Sequence, residues 1–125
     1  MKKILIIEDE EPLINALYDK FTGSGFEVIK AKDGQEGYAS AIKFHPDLIL
    51  LDIIMPVMDG MSMLEKLRLD PWGKDVKVIL LTNLSDPGKI KQSLGKGVRD
   101  YLIKSDWKLE DIVKKVREKL DIPTS

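Results

Sequence analysis

Five short apolar runs, each followed by a longer stretch of helical period, constrain this chain more than any other feature. Lys3 to Ile7 is aliphatic and β-branched, and Pro12 to Phe21 then places Leu13, Leu17 and Phe21 four residues apart on one helical face. Gly23-Ser24-Gly25 stops that helix. Phe26 to Ala31 sets apolar Phe26 and Val28 against Glu27 and Lys30, the alternation of a strand. Asp33, with Glu36 three residues on, has the form of a capping box for a second helix that ends before His45-Pro46. Leu48 to Leu51 is apolar on both faces, and Met61 to Leu69 returns to helical spacing through Met63, Leu64 and Leu67. Val76 to Leu81 is the fourth strand. Asp86 as N-cap and Pro87 at the first helical position open a short fourth helix that Gly95 closes. Val98 to Ile103 is the fifth strand, and Leu109, Ile112, Val113, Val116 and Leu120 stripe the fifth helix.

Strand and helix in regular alternation predict an α/β fold, a doubly wound parallel sheet with helices on both faces. The first, third and fourth strands are apolar throughout and suit the centre; the second and fifth carry polar residues at alternate positions and suit the edges. The strand order 2-1-3-4-5, that of flavodoxin, meets these demands in a five-stranded (βα)5 sheet. With 125 residues the chain amounts to about one domain, short of the ~250 that a closed eight-stranded barrel requires.

Composition removes several classes of function. The longest apolar run, Leu48 to Met55, is broken by Asp52 and falls short of the roughly 18 residues that span a bilayer. The charged start Met1-Lys2-Lys3 leads into an apolar stretch that ends at Glu8, too short for a signal peptide, so a cytoplasmic location is expected. No cysteine means no disulfide, thiolate zinc site or thiol nucleophile. Twenty basic and twenty-one acidic residues give a formal net charge of −1, so no overall field draws the chain to nucleic acid or to anionic lipid.

In a doubly wound sheet ligands bind beyond the carboxyl ends of the strands. The first strand ends in Glu8-Asp9, the third in Asp52, the fourth in Thr82 and the fifth in Lys104. With the first strand beside the third, Glu8 and Asp9 face Asp52, and two negative charges about 4 Å apart repel by on the order of 4 kcal/mol at an effective dielectric near 20. Such a cluster calls for a cation. Carboxylate oxygens without histidine or thiolate select magnesium, with manganese or calcium as the alternatives, and an incomplete cage that shares its ion with phosphate favours magnesium. A carboxylate can attack phosphorus, and a metal, a lysine and a threonine hydroxyl are the parts that phosphoryl transfer uses. Asp52 is the natural acceptor, because an aspartate inside Leu48 to Met55 has no packing reason to be there.

These residues resemble the receiver domain of two-component response regulators over nearly the whole chain. The resemblance lies in Ile6-Ile7-Glu8-Asp9, in the stretch from Pro46-Asp47 through Asp52 to Met55-Pro56-Val57-Met58-Asp59-Gly60, in Leu80-Leu81-Thr82, and in Asp100-Tyr101-Leu102-Ile103-Lys104. It implies a receiver over residues 1–121 with a tail at 122–125. Asp52 is then the phosphorylated residue, Asp9 a direct magnesium ligand, Glu8 a ligand through water and the Ile54 carbonyl a further ligand. Thr82 and Lys104 contact the phosphoryl group, and Tyr101 is the aromatic switch that responds to Thr82. The implied donor is a phosphohistidine on a sensor histidine kinase or phosphotransfer protein. The implied output is protein binding by a face made of helix four, strand five and helix five, as a monomer or a phosphorylation-dependent dimer, with no nucleic acid or membrane contact. Such a domain catalyses only its own phosphotransfer and autodephosphorylation.

Three residues depart from the family pattern. Glu8 stands where aspartate is commoner, Asn83 follows Thr82 where a small residue is usual, and Ser105 follows Lys104 where proline is usual. The fourth helix offers mainly Ile90 and Leu94 to the core and contains Gly88, which suits a weakly held switch element. Glu8 to Glu11 could simply cap the first helix, Tyr101 could be an ordinary edge-strand residue, and His45 reads as a solvated loop residue. A magnesium-dependent phosphohydrolase with an aspartyl intermediate would want a second acid two residues after its nucleophile, where this chain has Ile54. A receiver-like interaction module that is never phosphorylated would show no specific response to magnesium.

Overall fold

A computed structural model describes residues 1–53, 58–82, 95, 98, 100–103 and 108–122, with the side chains of Thr82 and Ile103 left aside. In chain order the elements are β1 (Lys3–Ile7), α1 (Glu11–Gly23), β2 (Glu27–Ala31), α2 (Gly34–Phe44), β3 (Leu48–Asp52), α3 (Gly60–Arg68), β4 (Lys77–Thr82), β5 (Asp100–Ile103) and α4 (Leu109–Lys119), the last being the fifth helix expected from the sequence. The expected fourth helix from Asp86 to Gly95, with Gly88, Ile90 and Leu94, lies outside the described residues apart from Gly95 itself; so do Ile54, Asn83, Lys104 and Ser105.

The five strands are parallel in the order β2-β1-β3-β4-β5, as the distribution of apolar and polar strands requires. Alternating side chains along each strand feed two separate cores. Ile4, Ile6, Leu48, Leu50, Ile79 and Leu81 meet α1 and α4 on one face. Leu5, Ile7, Ile49, Leu51, Val78 and Leu80 meet α2 and α3 on the other. All five β3 residues are buried, as a central strand covered on both faces must be.

In α1 the buried stripe is Ile14, Leu17 and Phe21, with Leu13 only partly covered. Leu13 packs against the same core as Leu17 and Phe21, as its spacing predicts, and helix geometry makes Ile14 the more deeply buried residue. Steps of four and four drift about 80° around a 3.6-residue helix, whereas three and four drift only about 20°. Phe21 also meets Phe26 edge to face, with ring centroids 5.4 Å apart.

The helix starts follow the residues that can cap them. Asp33 accepts the Glu36 N–H at 2.7 Å and Asp59 accepts the Ser62 N–H at 2.8 Å. His45 ends α2 in the left-handed conformation, φ 47°, and donates its N–H to the Ala41 carbonyl at 2.9 Å. His45 is exposed, as expected of a solvated loop residue, and its ring stacks on Trp72 with centroids 4.3 Å apart and 11° between planes, which ties the end of α2 to the turn after α3. Ile122, which the sequence places in the tail, is half-buried against the α1/α4 core, and its N–H donates to the Arg117 carbonyl at 2.8 Å. No helix among the described residues is long and apolar enough to cross a membrane.

The edge strand β5 is tied to α4 by Asp100, which lies 2.7 Å from Lys119 and 3.2 Å from Lys115. Burial pushes the Asp100 carboxyl up, but the hydrogen bonds and charges of Lys119 and Lys115 outweigh it and hold the group below the ordinary carboxylate value. A depressed folded pKa means the stabilisation is complete above the unfolded value, about 3.9, and is lost as pH falls through the folded one. Asp100→Asn is therefore expected to lower the melting temperature slightly at pH 7 and to have a progressively smaller effect as the pH is taken below 4. Thermal melts of both proteins across that range check this.

Candidate functional site

The site is built where two central strands run out. Ile7 of β1 lies opposite Leu51 of β3, and the same register carried one residue further sets Glu8 beside Asp52. Glu8 continues the row of Ile4 and Ile6, and Asp52 that of Leu48 and Leu50, so two carboxylates extend rows of aliphatic side chains. Glu8 is fully buried and Asp52 is 4% exposed, while Asp9 is exposed at the start of the loop to α1. Each of the three offers a carboxylate oxygen, and these oxygens lie within 4.8 Å of one another. Sequence order thus correctly brings Glu8, Asp9 and Asp52 together.

Two glycines shape the backbone around Asp52. Gly60, the first residue of α3, donates its N–H to the Ile53 carbonyl at 2.8 Å, and a Cβ placed on it would lie 2.1 Å from the Asp52 carbonyl oxygen. Gly34, the first residue of α2, donates to the Met58 carbonyl at 2.8 Å, and a Cβ there would lie 2.2 Å from that oxygen. Ile53 and Met58, on either side of residues 54–57, are thereby held by the starts of α3 and α2. Gly34 is not among the site residues expected from the sequence. Its signal is a glycine, a poor helix former, directly after an N-cap aspartate, which points to a close backbone approach.

A cleft of about 320 Å³ opens beside the cluster between α1, β2 and the start of α2, lined by Glu8, Asp9, Glu11, Asn15, Lys30 and Lys32 among others. It gives an approach to the exposed side of Asp9. Thr82 ends β4 opposite Ile103, at the same carboxyl edge of the sheet. Tyr101 sits on β5 opposite Leu80 and is 44% exposed.

The donor set suits a divalent cation. All three groups supply hard oxygens, with no histidine or cysteine among them, the pattern that selects magnesium or manganese over zinc. Direct ligands of an octahedral ion at about 2.1 Å lie at most about 4.2 Å apart, so oxygens within 4.8 Å of one another leave room for one of the three groups to act through water. Each pair of charges at this spacing repels by about 3 to 4 kcal/mol at an effective dielectric near 20, so the cluster stores repulsion that an ion would relieve. Magnesium is accordingly expected to raise the melting temperature of the wild-type chain. Asp52→Asn should raise it without magnesium and abolish most of the magnesium-dependent rise, as scanning fluorimetry with and without chelator would show. Gly60→Ala should cost about 1 to 3 kcal/mol of stability by pressing on the Asp52 backbone, measured by denaturant unfolding.

The family model for the response regulator receiver domain matches residues 4–117. The response regulator PleD of Caulobacter vibrioides is 39% identical over 102 residues, covering 82% of this chain and 22% of that protein. The chain spans about half or less of the length of the curated relatives it matches. Among solved structures, the chemotaxis protein CheY4 of Vibrio cholerae superposes with a TM-score of 0.88 at 28% identity, covering 94% of this chain and 98% of that one. A CheX–CheY complex with beryllium fluoride and magnesium from Borrelia burgdorferi gives a TM-score of 0.85 at 27% identity, covering 95% of this chain and 89% of that one.

Proposed function

The chain belongs to the response regulator receiver domain family, and on that premise we propose that Asp52 is its phosphoacceptor and that Glu8, Asp9 and Asp52 hold magnesium for the transfer. The observation that carries this reading is a nearly buried aspartate at the end of a central strand, within 4.8 Å of two further carboxylates. A bound magnesium ion supplies neutralisation of the charge on the phosphoryl oxygens. Asp52 supplies the nucleophile. One of its carboxylate oxygens forms a bond to phosphorus as the nitrogen–phosphorus bond of a donor phosphohistidine breaks. The electron pair of that bond returns to the imidazole nitrogen, which takes up a proton from solvent. Little covalent machinery is needed beyond position and charge, in keeping with a signalling domain rather than an enzyme acting on a separate substrate.

The remaining assignments come from the family resemblance. The Ile54 carbonyl completes the metal set, Thr82 and Lys104 meet the phosphoryl oxygens, and Tyr101 responds to Thr82. The added charge on Asp52 would draw in Thr82 and Lys104 and shift a two-state equilibrium of the 83–95 segment. The partner face is then that segment with β5 and α4, where Tyr101 is the large exposed apolar side chain on β5. By the same resemblance the donor is a sensor histidine kinase or phosphotransfer protein; the Borrelia complex joins a related chain to magnesium and to a protein partner.

Radiolabelled acetyl phosphate with magnesium is expected to label the wild-type chain in an acid-stable, base-labile bond, and to leave Asp52→Asn and metal-free wild-type protein unlabelled. Equal labelling of Asp52→Asn would refute the assignment.

A further inference from the structure

Helix α1 opens without the usual means of satisfying its N-cap. Glu10 is the N-cap, and in a capping box a glutamate or glutamine three residues later reaches back to the N-cap N–H. Here that position is Leu13, which has no acceptor, and Pro12 between them has no N–H at all. The acceptor comes from upstream instead. Glu8 Oε1 accepts the Glu10 N–H at 3.1 Å. The Glu8 backbone is itself tied to the sheet, donating its N–H to the Ala31 carbonyl at 3.0 Å. The side chain making this bond is fully buried.

We infer that Glu8 is a positioning residue, whose carboxylate caps α1 through the Glu10 N–H and thereby sets the turn from which Asp9 reaches the cation. One carboxylate then serves two ends, adding charge to the cluster with one oxygen's neighbourhood and ordering the Glu8–Glu10 turn with the other. The consequence for cation affinity rests on the metal reading of the cluster, but the cap stands apart from it. An acid at this position is then required for the shape of the loop as well as for its charge.

Two variants of the full chain separate shape from charge. Glu8→Gln and Glu8→Met both remove the charge at nearly constant volume, and only glutamine keeps an oxygen to accept the Glu10 N–H. Hydrogen exchange at the Glu10 amide, measured by NMR without divalent ions, is expected to be roughly fivefold faster in Glu8→Met than in Glu8→Gln, as loss of one hydrogen bond implies. In a magnesium titration followed by amide shifts, Glu8→Met should bind several-fold more weakly than Glu8→Gln. If Glu8→Met does not fold, Glu8→Ala takes its place with the same expectations. Equal exchange and equal magnesium affinity in the two variants would overturn the proposal and leave Glu8 acting by charge alone. If the wild-type chain itself binds no magnesium, the metal reading fails, and the exchange comparison alone decides the cap.

Discussion

Three carboxylates brought within 4.8 Å of one another, two of them buried, are the costly feature on which this structure turns. Burial weakens the solvent screening that would let like charges sit together, so the arrangement persists only because the rest of the fold holds it and a counter-charge can relieve it. Under the proposed function, that relief would make the site responsive. A group that is unfavourable alone and favourable with a cation and a phosphoryl group is suited to a domain whose two states must lie close in free energy.

The holding is done by packing far from the charges. β1 and β3 are aliphatic through nearly their whole length and lie side by side between two helical layers, so their register cannot slip without turning core residues outward. That register delivers Glu8 to Asp52. The helix starts add the finer placement. Gly60 lets α3 begin against the Asp52 carbonyl, Gly34 lets α2 grip Met58, and Glu8 caps α1. The starts of α1, α2 and α3 thus brace the acidic cluster, while α4 is joined to the β5 edge through Asp100.

Features written along the chain were legible before the structure, and features written across it were not. A charge inside Leu48 to Met55 has no apolar partner to satisfy, so Asp52 announced itself, and the contrast between wholly apolar and alternating strands was enough to order the sheet. The N-cap role of Asp33 was readable because the bond is local. The spacing of Leu13, Leu17 and Phe21 finds the core face of α1 but not its most buried first residue, because an equal spacing of four drifts around a helix and leaves Ile14 deeper than Leu13. The His45–Trp72 stack joins the ends of two helices, and no periodicity encodes it. The Glu8 to Glu10 bond is local, but a glutamate capping a helix from upstream has no sequence signature of its own.

The most direct test of the central claim is anomalous diffraction from crystals of this chain grown with manganese. The account predicts one strong peak among Asp9, Asp52 and Glu8, with a carboxylate oxygen of Asp9 and one of Asp52 each roughly 2.1 Å from the ion, as hard-ion coordination requires. Crystals saturated with manganese that show no peak there, or that show Asp52 turned away from Asp9, would contradict it.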